Sequence, residues 1–371
     1  MWSFPGVIKA IQNLCCCGSR KNDDHAVKIE SESVVAKEFG ILDMPEVVMR
    51  NICQHLDYKD IMALRKTCRP IRRYLTIQNS HQNLQTLHAN FDRDINSLQF
   101  NWTMLIQYIH SHHGCIVRKG VENNVWRDKV LKAKFKKVFY GDLRLALVNL
   151  TSVMELLSMT VMAVYEKDFP VIISTIGDTL KSRRTLLKVK KLEIPAENQK
   201  QAMKMLPYID PKYLKALKIQ NLRGEDDSEF NMDNILKLEL WKSLEEFELK
   251  GKVKKEHWIR FLEVPTACFE VFNIEMEDVL LMKKTCITIP TFREYRVDFH
   301  RVSHISNRIN EQFGEPFFDP AQVPSRGGEW FFWIPGHHND VIQMTLWAGQ
   351  RYLTFKKIKW VAVSDAARIQ E

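Results

Sequence analysis

Long apolar runs are missing from this chain. Nowhere do eighteen consecutive apolar residues occur, so no segment reads as a hydrophobic transmembrane helix. Also absent are the Gly-x-x-x-x-Gly-Lys-Ser/Thr loop, the Gly-x-Gly-x-x-Gly turn, the Gly-x-Ser-x-Gly elbow and the His-Glu-x-x-His helix. The common sequence signatures of phosphate cradling, dinucleotide binding, serine hydrolysis and zinc proteolysis are therefore lacking. The 8 cysteines form no C-x-x-C pair, so neither a zinc site nor a disulfide framework is expected, and reduced thiols suit the cytoplasm or nucleus. His110-x-His112-His113-x-Cys115 is the nearest approach to a metal cluster, but no second half completes a tetrahedron, and a solvated turn is the expectation. His337-His338-Asn339-Asp340 has general-base residue types, yet Pro335-Gly336 marks it as a turn without a nucleophile beside it. No catalytic residue, metal or cofactor is expected.

Strong charge of one sign is missing too. The net charge of +9, from 54 basic and 45 acidic residues, permits acidic partners without demanding them. The excess is partly local, with nine basic and three acidic residues over 118–144, and six basic and none acidic over 181–191. Solvated faces are expected for both runs, because a nucleic-acid groove would interleave aromatics with the charges, and the second run has none.

What is present is concentrated in residues 41–80. Met44, Val48, Ile52 and Leu56 step by four along one predicted helix. Ile61, Leu64, Cys68, Ile71 and Leu75 step by three and four along the next segment. Asp43 and Glu46 have capping-box spacing, and Pro45 is expected in the first turn, where a missing amide costs little. So short a segment cannot bury both stripes by itself. Leu42, Met44-Pro45, Val48, Ile52, Leu56, Asp60, Leu64-Arg65 and Cys68-Arg69 together resemble the F-box, with methionine replacing the usual leucine before the proline. The resemblance implies docking on a SKP-type adaptor of a cullin-based ubiquitin ligase, through Leu42, Met44, Pro45, Val48, Ile52, Leu56, Leu64 and Cys68.

Ahead of this segment, Phe4, Val7, Ile8, Ile11 and Leu14 are helically spaced and run into Cys15, Cys16 and Cys17. Two readings stand open: S-palmitoylation of the triplet, giving a membrane-surface anchor, or an ordinary tail. Residues 23–38 are polar and suit a linker.

After residue 80 the pattern is mixed. Short strand-like runs are expected near 95–100, 105–109 and 115–117. An apolar buried helix is expected over 151–164, and a second helix over 169–187. Beyond 187, apolar-x-x-apolar-x-apolar recurs as Val189-Leu192-Ile194, Leu214-Leu217-Ile219, Leu244-Phe247-Leu249, Phe269-Phe272-Ile274 and Phe292-Tyr295-Val297. The intervals of 25, 30, 25 and 23 residues are those of a leucine-rich-repeat solenoid. The asparagine or cysteine of that repeat is missing; Glu197, Leu222, Lys252 and Glu277 stand in its place. An ordinary α/β domain with weak periodicity is the alternative. Leu206-Pro-Tyr-Ile-Asp-Pro211, Tyr213-Leu-Lys-Ala-Leu-Lys-Ile219 and Trp241-Lys-Ser-Leu-Glu-Glu-Phe247 resemble the FTH domain, which follows the F-box in the nematode F-box A group. Trp330-Phe-Phe-Trp-Ile-Pro335, Thr345-Leu-Trp347 and 355–363 are expected to be closing strands, with Phe355-x-x-Ile358-x-Trp360 available as a terminal repeat strand.

The expected fold is therefore α+β or α/β: a flexible tail (1–38), a helical F-box (39–80), a mixed strand and helix region (85–186), and an irregular leucine-rich-repeat-like solenoid with a β-rich end (187–371). The expected function is a substrate-recognition subunit binding the adaptor, with its cullin, at one end and an unidentified target protein at the other. A peripheral membrane-associated adaptor is the alternative, and nucleic acid is not expected as a partner.

Overall fold

The computed structural model describes residues 44–56, 60–61, 64–65, 68–77, 84–121, 125–148, 150–162, 169–222, 229–301, 305–318, 328–337, 339–347, 349–363, 367 and 369–370. Within them lie eight helices and one sheet of 15 strands. Cys15, Cys16, Cys17, Leu42 and the expected linker fall outside the described residues.

The first helix, α1 (Glu46–His55), starts at Pro45, which occupies the N-cap instead of the first turn. Proline supplies no side-chain cap, but its carbonyl accepts from the amides of Val48 and Met49 at 2.9 and 3.1 Å. Glu46 pairs with Arg50 at 2.8 Å, one turn on. The second helix is α2 (Arg69–Ile77). Met49, Cys53, Leu56, Ile61, Leu64, Ile71 and Leu75 form a buried cluster of their own, separate from the main core. Tyr74 on α2 donates its hydroxyl to the Glu46 carbonyl at 3.3 Å, tying the two helices.

The sheet begins as an antiparallel meander of β1 (Thr86–Phe91), β2 (Ile95–Phe100), β3 (Met104–Ser111), β4 (Gly114–Val121) and β5 (Val125–Leu131). Next come α3 (Phe135–Val148), β6 (Met154–Val161) and α4 (Phe169–Lys181). The expected helix over 151–164 is thus a strand. β6 lies between β1 and β7 in parallel register, and its Leu157-Ser158-Met159-Thr160-Val161 alternates apolar with polar as a strand covered on one face does, although its leucines and methionines favour a helix by composition.

β7 (Val189–Ala196), β8 (Ala216–Asn221), β9 (Glu246–Lys252), β10 (Thr266–Asn273) and β11 (Glu294–Arg301) continue the sheet in chain order, each parallel to the last. Their return segments include α5 (Gln199–Ala202), α6 (Lys255–Phe261) and α7 (Met276–Thr288). All five recurring motifs coincide with these strands. The register corrects one frame: Leu192, Leu217 and Phe247 align with Ala267, not with Phe272, and then with Tyr295. The apolar template fits both Val264-Ala267-Phe269 and Phe269-Phe272-Ile274, so spacing alone does not fix the frame, and a bulge at Gly251, in a φ of 149° that favours glycine, shifts the pairing of β9 with β10 beyond these positions.

α8 (Ile305–Phe313) leads to the closing strands β12 (Gly328–Trp333), β13 (Asp340–Trp347), β14 (Tyr352–Lys359) and β15 (Ile369–Gln370). β14 pairs antiparallel with both β11 and β13. It therefore ends the parallel series and is not a further repeat strand. Sheet and core run without a break through residue 187, so the division expected between 85–186 and 187–371 does not mark a gap in either.

The inner face carries a continuous apolar row from Leu87 through Leu157, Leu192, Leu217 and Phe247 to Tyr295, all buried. Helices cover it. Phe139 of α3 meets Phe91 and Tyr108 edge-on at 5.3 Å, and Phe261 of α6 lies 4.7 Å from Phe247 and 5.4 Å from Phe269. The second basic run serves this construction and is not simply solvated. Arg183 donates to the carbonyls of Leu147 and Leu150 where α3 ends, and burial pushes its guanidinium below the usual arginine value.

Candidate functional site

Two surfaces stand out. The first is the exposed side of α1. Met49, Cys53 and Leu56 turn inward, whereas Met44, Val47 and Val48 are 38, 67 and 42% exposed, Pro45 is exposed and Ile52 is half-buried. The apolar residues of this helix thus form two faces. One makes the small core, and the other stands in solvent without a described partner strand or helix over it. Single exposed apolar residues are ordinary on a protein surface, but several together on one helix end mark an interaction site.

Leu56 and Leu64 belong to the inward set and are buried in the small core. Cys68 is half-buried against that core. These three support the shape of the surface and do not line it. Val47, the most exposed of the group, was not singled out from sequence because it falls off the four-residue spacing. Burial raises the Cys53 thiol above its usual value, which keeps it a protonated core side chain.

The second surface is the outer face of the parallel strands. Ser158, Glu193, Lys218, Glu248, Cys268 and Arg296 face it in successive register. Charges alternate and pair across strands. Ser158 donates to Glu193 at 2.7 Å, Lys191 reaches Glu193 at 3.2 Å and Lys218 reaches Glu248 at 2.8 Å. Burial would raise the Glu193 pKa, but the Ser158 hydrogen bond and the Lys191 and Lys218 charges outweigh it, and the carboxyl titrates below its usual value. Burial, with Asp298 and Glu248 nearby, pushes the Cys268 thiol up to about 11, so at neutral pH it is no nucleophile. Arg296 pairs with Asp298 at 2.9 Å and stacks 4.1 Å over Tyr352. Beside these strands a cleft of about 510 Å³ is lined by Arg293, Glu294, Asp340, Lys356 and Lys359, among others. Such a face offers hydrogen bonds and exchangeable ion pairs.

The histidine-rich turn joins β3 to β4. Cys115 is buried on the inner face, while His112 and His113 are exposed. Among the described residues no three of His, Cys, Asp and Glu gather to hold a metal. Likewise, no helix among them is long and apolar enough to cross a membrane.

Residues 41–83 match the F-box domain family and residues 170–319 match the FTH domain family. The chain carries an F-box followed by an FTH domain. The F-box coincides with the self-contained helical core, and the FTH domain spans α4 through α8, including the whole run β7 to β11. F-box and FTH domains are typical of non-enzymatic adaptor proteins, and an F-box is suggestive of a substrate-recognition adaptor in SCF-type ubiquitin ligases. No curated protein and no solved structure matches the chain.

Proposed function

We propose that this protein is the substrate-recognition subunit of an SCF-type cullin ubiquitin ligase. The observation that carries the reading is the split of α1, with its own core on one side, against which Ile52 is half-buried, and Met44, Pro45, Val47 and Val48 turned outward on the other. A SKP-type adaptor covers that outward face. Leu42, the remaining contact that the resemblance implies, lies outside the described residues, and Leu56, Leu64 and Cys68 hold the helix at the right pitch from within. The adaptor's cullin brings the conjugating machinery, and this chain acts by raising the local concentration of its target.

The outer face of the FTH strands presents the target-binding surface. Chain-ordered parallel strands, with return segments packed on one face only, support reading β6 to β11 as an irregular leucine-rich-repeat-like solenoid. The pairing of the two domains also supports placement in the nematode F-box A group. Cys15, Cys16 and Cys17 remain candidate lipid attachment points on sequence grounds alone.

Purified adaptor tests the reading directly. Met44→Asp combined with Val48→Asp should weaken adaptor binding at least about tenfold, since each buries a charge in an apolar contact. Both positions are exposed, so the urea unfolding midpoint should stay where it is. Unchanged adaptor binding by the double variant refutes the interface.

A further inference from the structure

β5 ends the sheet and, among the described residues, pairs with β4 alone. Its outer edge therefore presents backbone N–H and C=O groups with no strand beside them, which is how an edge templates another chain. Native edges are commonly blunted by proline, a bulge or charged side chains, and of these β5 has only the last, at Arg127, Asp128 and Lys129. β5 contains no proline and pairs in unbroken register from Cys115↔Leu131 to Val121↔Val125.

Its side chains alternate in character. Trp126 and Val130 share the outer face of the sheet and are 45 and 62% exposed. Trp126 has a local role, its ring lying over Gly120 on β4, where a Cβ would meet it at 3.4 Å. Val130 has no comparable cover. Arg127 and Lys129 alternate onto the other face, both exposed and without an ion pair among the described residues. The strand's one carboxylate, Asp128, is already held by Arg118 at 3.0 Å.

We propose that the free edge of β5 is a docking site for an extended segment of another protein in which apolar and acidic residues alternate. The segment adds to the sheet as one more strand, its apolar side chains beside Trp126 and Val130 and its carboxylates beside Arg127 and Lys129. β5 lies outside both matched domains, so this site is independent of the adaptor interface.

The test uses the full chain and a fluorescein-labelled peptide, as long as β5, of alternating valine and glutamate. Saturable binding that weakens with salt is expected, with amide exchange slowed over residues 125–131. Arg127→Glu with Lys129→Glu should weaken that peptide about tenfold and gain binding of the matching valine–lysine peptide. The gain shows that the variant is folded. Absence of saturable binding overturns the proposal, as does equal binding of a peptide with the same composition in blocks. Loss of the peptide to anionic vesicles or an oligonucleotide that binds more tightly at the same residues also overturns it, as does pairing of two copies through β5.

Discussion

The F-box and the sheet solve opposite surface problems. The F-box closes a core that holds seven buried residues among those described, and leaves apolar side chains outside it. The sheet covers its inner apolar row with helices of its own chain, and what it exposes between β6 and β11 is polar and paired in charge. A small unit cannot bury all of its apolar surface, and what it leaves out is available for tight, shape-dependent docking. A large sheet can be self-sufficient, and its exposed face then binds by exchanging ion pairs, which favours selectivity over strength.

The comparison breaks first where each core is emptied. Phe261→Ala removes a fully buried ring in contact with Trp241, Phe247 and Phe269, and should cost about 3–5 kcal/mol in urea unfolding of the sheet. Adaptor affinity should not change, and a parallel loss of adaptor binding would mean that the two units fold as one. Leu64→Ala is the converse, expected to cost about 3 kcal/mol in the helical unit alone. Hydrogen exchange should then quicken over 46–77 and not in β6 to β11. Uniform quickening would contradict the separation of cores.

The smallest effect concerns pH. Burial lowers the pKa of His88, whose Nε2 has no hydrogen-bond partner among the described residues and whose ring lies 4.1 Å from that of Trp102. The unfolded chain takes up this proton at the ordinary value of 6.5 and the folded sheet only below it. Between those values the unfolded state binds more protons, so stability is lost as pH falls below 6.5 towards the depressed folded value. His88→Gln should flatten this part of the urea midpoint against pH, and an unchanged slope would assign it to other groups.

Much of this was legible in advance. Proline at the head of α1, the inward stripe of Ile61, Leu64, Ile71 and Leu75, and all five strands from β7 to β11 follow from residue type and spacing. Three features did not. The helix expected over 151–164 is β6, because its leucines and methionines favour a helix by composition while the alternation over Leu157-Ser158-Met159-Thr160-Val161 is only five residues long. α1 has two apolar faces where a spacing of four predicts one stripe, since apolar residues at 44, 47, 48, 49, 52 and 53 fit either face equally well. The frame of β10 is ambiguous in sequence because Val264-Ala267-Phe269 and Phe269-Phe272-Ile274 satisfy the same apolar template, and only the pairing of Ala267 with Phe247 and Tyr295 decides between them.

With β6 the exception, local chemistry alone determined where chain segments become helix or strand and which domain families they fall in, because capping, periodicity and turn residues act over a few positions. Which apolar side chains stay outside was decided only in three dimensions. So was the choice of sheet face that carries paired charges, and of the strand left without a neighbour. Burial and pairing are properties of what the rest of the chain places alongside, and a spacing of three or four residues carries no record of that.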